Sequence, residues 1–155
     1  MSSNPSSRFQ IAVVGGGIVG KACALLLAQQ GMQVALVAPR PASDTARTGD
    51  DDWDSRIYAF SASSQALLDR LRVWEALDPA RVQPVRDMRI YGDESACETS
   101  PSPHGDLHFS AYAAAVPQLA WIIESGHVER VLDTALRFQH QVKWFDDTAD
   151  QLERD

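Results

Sequence analysis

Residues 11–41, IAVVGGGIVGKACALLLAQQGMQVALVAPRP, decide the fold. The run Phe9 to Val14 is short, apolar and rich in β-branched residues, and glycines stop it, so it reads as a buried strand. Ile18 to Gln30 reads as a helix whose alanines and leucines suit close packing, with Gly31 just past its end. Gln33 to Ala38 is a second strand, closed by the breakers Pro39 and Pro41. Between first strand and helix, Gly15, Gly17 and Gly20 satisfy G-x-G-x-x-G, with Gly16 as an extra glycine. Gly15 permits the tight turn, Gly17 lets a pyrophosphate approach the backbone, and Gly20 lets the helix pack on the strand. The opening amides of the helix, Ile18 first, then face the phosphates at the positive end of the helix dipole. Strand, glycine turn, helix and strand in this order form a dinucleotide-binding unit, and its expected phosphate contacts are Gly15, Gly17, Ile18 and Gly20.

The second strand of such a unit usually ends in Asp or Glu, which accepts the ribose hydroxyls. Here it ends in Ala38. Two readings stand on these residues alone. Arg40 could read the 2′-phosphate of NADP, or the site takes FAD with its ribose held by other groups or by water. Arg40 is the candidate cofactor contact at this corner; a solvated loop arginine is the plain alternative.

The rest of the chain continues as helix and strand. Ala62 to Leu77 is expected as a helix with Leu67, Leu71 and Trp74 on one face. Asp87 to Tyr91 and the alternating stretch Leu107 to Tyr112 are expected to pair as a ribbon. After the short apolar run Leu119 to Ile123, Ser125 is placed to cap a helix with the buried stripe Val128, Val131, Leu132, Ala135 and Leu136. Gln141 to Phe145 is a third candidate parallel strand. Asp50, Asp51 and Asp52 read as a solvated loop, since no full calcium-ligand pattern follows them. The order implies an α/β layered fold.

A net charge of −7 disfavours nucleic acid, which needs a basic face. The two cysteines, Cys23 and Cys97, have neither metal nor disulfide spacing. The start MSSNPSSRFQ lacks the apolar core of a leader, and no apolar stretch approaches the roughly 20 residues of a membrane span, so a cytoplasmic location is expected. The histidines are scattered and no G-x-S-x-G elbow exists, which leaves no nucleophile constellation; no catalytic residue is assigned.

DSRIYAFSASSQALLDRLRVWEAL, residues 54–77, resembles the flavoprotein aromatic-ring hydroxylases of ubiquinone biosynthesis. That family carries Asp-x-Arg-x-x-Ala-Leu-Ser followed by a helix and a Trp-containing turn. Here the element stands as Asp54, Arg56, Ala59, Phe60 and Ser61, with Phe60 in the leucine position. QLAWIIESGHVERVLDTAL, residues 118–136, is similar to the same family's strand-to-helix segment. With the glycine turn, three motifs follow in the family's order over nearly the whole chain.

The resemblance implies FAD as cofactor, NAD(P)H as electron donor for the complete enzyme, and hydroxylation of an aromatic quinone precursor by flavin-activated O₂. It implies Gly15, Gly17 and Gly20 at the pyrophosphate, Arg56 against the FAD, and a polar FAD contact at Ser125; a salt bridge from Arg56 and simple helix capping by Ser125 are the structural alternatives. The implied architecture is a partial FAD-binding Rossmann-like domain of three layers with a small antiparallel ribbon. Residues 1–155 are expected to form the N-terminal portion of that domain, without its second Gly-Asp FAD motif and without the substrate domain, and the chain alone is expected to be inactive. Other quinone-biosynthesis proteins are implied as partners, and contact with the inner membrane stays open. Outside this family, the alternatives are a non-catalytic nucleotide-binding remnant and an NADP-binding Rossmann protein, the latter supported by Arg40 alone.

Overall fold

The computed structural model describes residues 8–40, 54–91 and 106–149. In chain order its elements are β1 (Ile11–Val14), α1 (Ile18–Gln29), β2 (Val34–Val37), β3 (Ile57–Phe60), α2 (Ala62–Arg70), β4 (Val82–Val85), β5 (Asp87–Tyr91), β6 (Asp106–Ser110), β7 (Ala120–Glu124), α3 (Ser125–Arg137) and β8 (Val142–Phe145). Short 3₁₀ turns stand at Trp74–Ala76 and Pro79–Arg81. The Asp50–Asp52 run, Trp53, the Gly92–Asp93 pair, Cys97, His104 and the last residues of the acidic end lie outside the described residues.

Three parallel strands in the order β1-β2-β8 make the first sheet, with Ile11 opposite Val34 and Val34 opposite Val142. The third parallel strand expected at residues 141–145 is thus β8. A second sheet, β3-β7-β4, is antiparallel, and β5 pairs with β6 as the expected ribbon. Helix α1 packs on all three parallel strands and against α3, while α3 packs on β7. This bridges the two sheets with one apolar interior: Leu25 of α1, Leu36 of β2, Phe60 of β3, Ile123 of β7, and Val128 and Leu132 of α3 share a single buried cluster. Each fully buried leucine there stabilises the fold by about 1.5–3 kcal/mol. In α3 the repeat Val128, Leu132, Leu136 faces inward at four-residue spacing, as its stripe required.

A buried cation joins the two helices. Lys21 has no exposed surface, and its Nζ lies 2.9 Å from Asp133 Oδ1 and 3.4 Å from Glu129 Oε2. Such an ammonium is tolerable inside only because two carboxylates of α3 meet it.

One expectation is corrected. The helix read as Ala62 to Leu77 ends at Arg70, because Arg72 takes a left-handed conformation at φ 62°. Its amide bonds back to the Asp69 carbonyl and that of Val73 to the Leu68 carbonyl, closing the helix end as a glycine usually does. No glycine or proline marks that stop, so the sequence runs through it. The break also moves the buried face. Leu68 is buried while Leu67 is 40% exposed, and Leu71, Val73 and Leu77 reach the core from the turn rather than from a helix. Strands β3 and β4 answer to no expectation from the sequence; four residues each, they carry too little periodicity to stand out alone.

A non-glycine residue in the left-handed region costs about 1–2 kcal/mol. Arg72→Gly should recover part of this and raise the melting temperature by about 2–4 °C, read by thermal unfolding of the two proteins side by side.

Candidate functional site

The site is built at the carboxyl ends of β1 and β2. Gly15 leaves β1 at φ 115°, a conformation open to glycine and costly for other residues, and its amide donates to the Val37 carbonyl at 2.9 Å. The chain then turns directly into α1. A Cβ on Gly20 would sit 3.0 Å from the Gly15 carbonyl carbon and closer still to its oxygen, so only hydrogen fits there. At Gly17 the opposite holds: a Cβ would meet nothing within 4 Å, so the backbone faces open space.

Gly17 is the N-cap of α1 and supplies no side-chain cap, and the first turn holds no acidic residue. The first helical bond runs from the Lys21 amide to the Gly17 carbonyl, so the amides of Ile18, Val19 and Gly20 have no acceptor within the helix. Donors and dipole are therefore directed at an open cradle, the arrangement that receives a phosphate. The side chain of Ile18 packs on the core, leaving its amide as the group available to a ligand. These features fit the pyrophosphate of a dinucleotide.

At the end of β2, Ala38 is 2% exposed, and its carbonyl accepts a 2.9 Å bond from Trp144 Nε1. Arg40 is exposed; its amide donates to Asp146 Oδ1 at 2.8 Å, and its guanidinium lies 5.6 Å from the centre of the Trp144 ring. Trp144 also borders a cleft of about 570 Å³, shared with Arg40, Asp133, Arg137 and His140. From the sequence, Trp144 stood only within the candidate strand Gln141 to Phe145, and Asp146 had no role. The signal available was the parallel register, which sets the end of β8 beside the end of β2.

Arg56 and Ser125 meet at the start of α3, where the Ser125 amide donates to the Arg56 carbonyl. Asp54 organises this junction. Its carboxylate accepts from the Arg56 amide and from the Gly126 amide, both at 3.0 Å, and pairs with the Arg56 guanidinium at 3.4 Å. These bonds, the Arg56 amide foremost, hold the Asp54 carboxyl below its ordinary range despite the opposing effect of burial. The pair with Asp54 raises Arg56 in turn, and two-thirds of the Arg56 side chain stays exposed for a further anion. The salt bridge weighed for Arg56 is therefore present.

Ser125 does not cap α3. It is the first helical residue, 2% exposed, and its hydroxyl donates to Glu129 at 3.0 Å. The cap comes from Asp54, 72 residues earlier, through the Gly126 amide. A Cβ at position 126 would lie 3.0 Å from Asp54 Oδ2, so the glycine gives that carboxylate room. Below this junction the buried Glu124 pairs with Arg81 at 2.9 Å and accepts from the Asp54 amide at 3.3 Å. Sequence reasoning assigned neither Glu124 nor Arg81 a role, because their pairing joins two strands' ends across 43 residues.

Residues 10–70, which carry the glycine cradle, the crossover helix and the second parallel strand, match the family described as FAD dependent oxidoreductase. The chain is similar to 3-demethoxyubiquinol 3-hydroxylase of Escherichia coli (strain K12), 33% identical over 92% of this chain and 33% of the relative. It is also similar to the ubiquinone hydroxylase UbiL of Rhodospirillum rubrum, 31% identical over 81% of this chain and 26% of that protein. Among solved structures, p-nitrophenol 4-monooxygenase PnpA from Pseudomonas putida DLL-E4 shares the fold, with a TM-score of 0.62 at 22% identity over 94% of this chain and 33% of that one. The chain thus spans about a third or less of the length of these curated relatives. No helix among the described residues is long and apolar enough to cross a membrane.

One histidine beside the junction is held below its ordinary titration range. His127 is half-buried, and its Nε2 accepts from the Asp78 amide at 2.9 Å, which requires the neutral ring. Burial, then the charges of Arg130 and Arg81, lower its pKa from 6.5, against the opposing pull of Asp78 and Glu124. Unfolded chain therefore takes up this proton before the folded chain does. The contribution of His127 to stability is present above pH 6.5 and declines as pH falls below it. Urea unfolding between pH 7.5 and 5.5 should show that decline, and His127→Gln, which keeps an acceptor without a titrating ring, should flatten it.

Proposed function

We propose that this chain provides the dinucleotide-binding part of a flavin-dependent monooxygenase that hydroxylates the aromatic ring of a ubiquinone precursor. One observation carries the reading: the open, uncapped cradle at Gly17, in a chain similar over 142 residues to 3-demethoxyubiquinol 3-hydroxylase. Gly15 and Gly17 and the amide of Ile18 take the FAD pyrophosphate, and Gly20 holds α1 in place for it. The exposed guanidinium of Arg56 supplies a permanent cation to the same anion. With its hydroxyl spent on Glu129, Ser125 acts by fixing the start of α3 rather than by touching the cofactor. Arg40, laid on Trp144, stands at the adenosine end.

The chemistry that FAD supplies when bound is activation of O₂ for aromatic hydroxylation. The part of this chain is to bind and orient the cofactor, and the electrons come from NAD(P)H in the complete enzyme. In this reading residues 1–155 are the N-terminal portion of the FAD-binding domain, and the substrate is a small aromatic quinone precursor. Other quinone-biosynthesis proteins are the proposed partners, at the cytoplasmic side of the inner membrane where such apolar substrates reside.

Titration of the purified chain with FAD, followed by flavin fluorescence, tests the reading. Saturable binding is expected, weakened at least about tenfold in Gly17→Asp, whose carboxylate would occupy the anion position. Binding of NADP in place of FAD would overturn it.

A further inference from the structure

The ribose of a dinucleotide needs an acceptor at the end of β2, and Ala38 has none. Parallel register sets Val37 opposite Phe145, which places Asp146 beside Ala38 at the end of the neighbouring strand. The two ends are tied together. Ala38 donates its amide to the Phe145 carbonyl at 3.1 Å, Trp144 Nε1 donates to the Ala38 carbonyl at 2.9 Å, and the Arg40 amide donates to Asp146 Oδ1 at 2.8 Å. One oxygen of Asp146 is thereby committed, which orients the carboxylate over the strand ends, while the residue as a whole remains exposed.

We propose that Asp146 supplies the carboxylate that binds the adenosine ribose of the dinucleotide, displaced by one strand from its usual place at the end of β2. This rests on the dinucleotide reading of the glycine cradle and adds to it the residue that recognises the sugar. The neighbouring groups fit that role. Trp144 lies 3.6 Å from where a Cβ of Gly16 would stand, so the tryptophan links the cradle to this corner. Its face carries the Arg40 guanidinium, which leaves a planar cation–aromatic shelf beside the sugar position. A Cβ on Gly16 would come within 2.8 Å of the Ala38 Cβ, so glycine at position 16 is what lets the cradle lie against the end of β2. A carboxylate at the sugar also disfavours a 2′-phosphate, so Arg40 does not make this an NADP site.

The test uses the 155-residue chain and calorimetric titration with FAD, ADP and 2′,3′-dideoxy-ADP. The wild-type chain is expected to bind FAD and to prefer ADP over the dideoxy form by at least about tenfold, the worth of one hydrogen bond to a charged acceptor. In Asp146→Ala that preference should vanish and FAD binding should weaken similarly, with dideoxy-ADP binding unchanged. If Asp146 serves only to hold Arg40, Asp146→Ala would weaken ADP and dideoxy-ADP alike and the preference would persist; that result overturns the proposal while leaving the dinucleotide reading of the cradle intact. Absence of any FAD or ADP binding by the wild-type chain would overturn the cradle reading and this proposal with it. The melting temperature of Asp146→Ala, measured in parallel, identifies a variant that fails to fold; Asp146→Leu then repeats the comparison.

Discussion

The closest constraint in this molecule is the crossing of Gly20 over the Gly15 carbonyl. A single methyl group there would collide with backbone, which cannot yield as a side-chain tip can. With hydrogen in that place, α1 starts directly above the end of β1. Its first amides then face outward over the cradle, and its body settles on all three parallel strands. The position of the helix determines in turn where Leu25 enters the core and where Lys21 meets the acids of α3. Binding geometry and packing geometry follow from the same close approach.

A second set of interactions holds the remaining half to this frame. Asp54, Arg56, Arg81, Glu124 and Gly126 join the loop before β3, the turn before β4 and the start of α3. The interior of a protein tolerates such charges only when each has a partner, and here each carboxylate finds a cation and a backbone amide. The arrangement leaves the Arg56 guanidinium facing outward, with its backbone fixed at both amide and carbonyl. A cation so placed is oriented before any ligand arrives, and binding does not have to order it.

Elements with strong local signals were legible in the chain. Strands β1 and β2 are continuous apolar runs, of which β2 is buried and β1 only half so, β8 is an apolar run broken by Lys143, α3 carries a four-residue repeat, and β5 with β6 alternates; all emerge where the patterns put them. The end of α2 was not legible, because Arg72 adopts the left-handed conformation without the glycine that usually announces it. Strands β3 and β4 were hidden for another reason. Their pairing with β7 is set by contacts across more than thirty residues, and four-residue segments hold little pattern of their own.

The same division runs through the site. The sequence by itself determined the cradle, since the demands on Gly15, Gly17 and Gly20 are local: a positive φ, an open face and a close crossing within one turn of chain. It also pointed to Arg56 and to the vacancy at Ala38. Only the tertiary structure decided what surrounds them. Asp54 as the cap of α3, the buried pair of Arg81 and Glu124, and Asp146 beside Ala38 each depend on segments far apart in the chain. Hydrogen bonds and ion pairs act over a few ångströms in space and carry no mark of sequence separation, so no local pattern could have announced them.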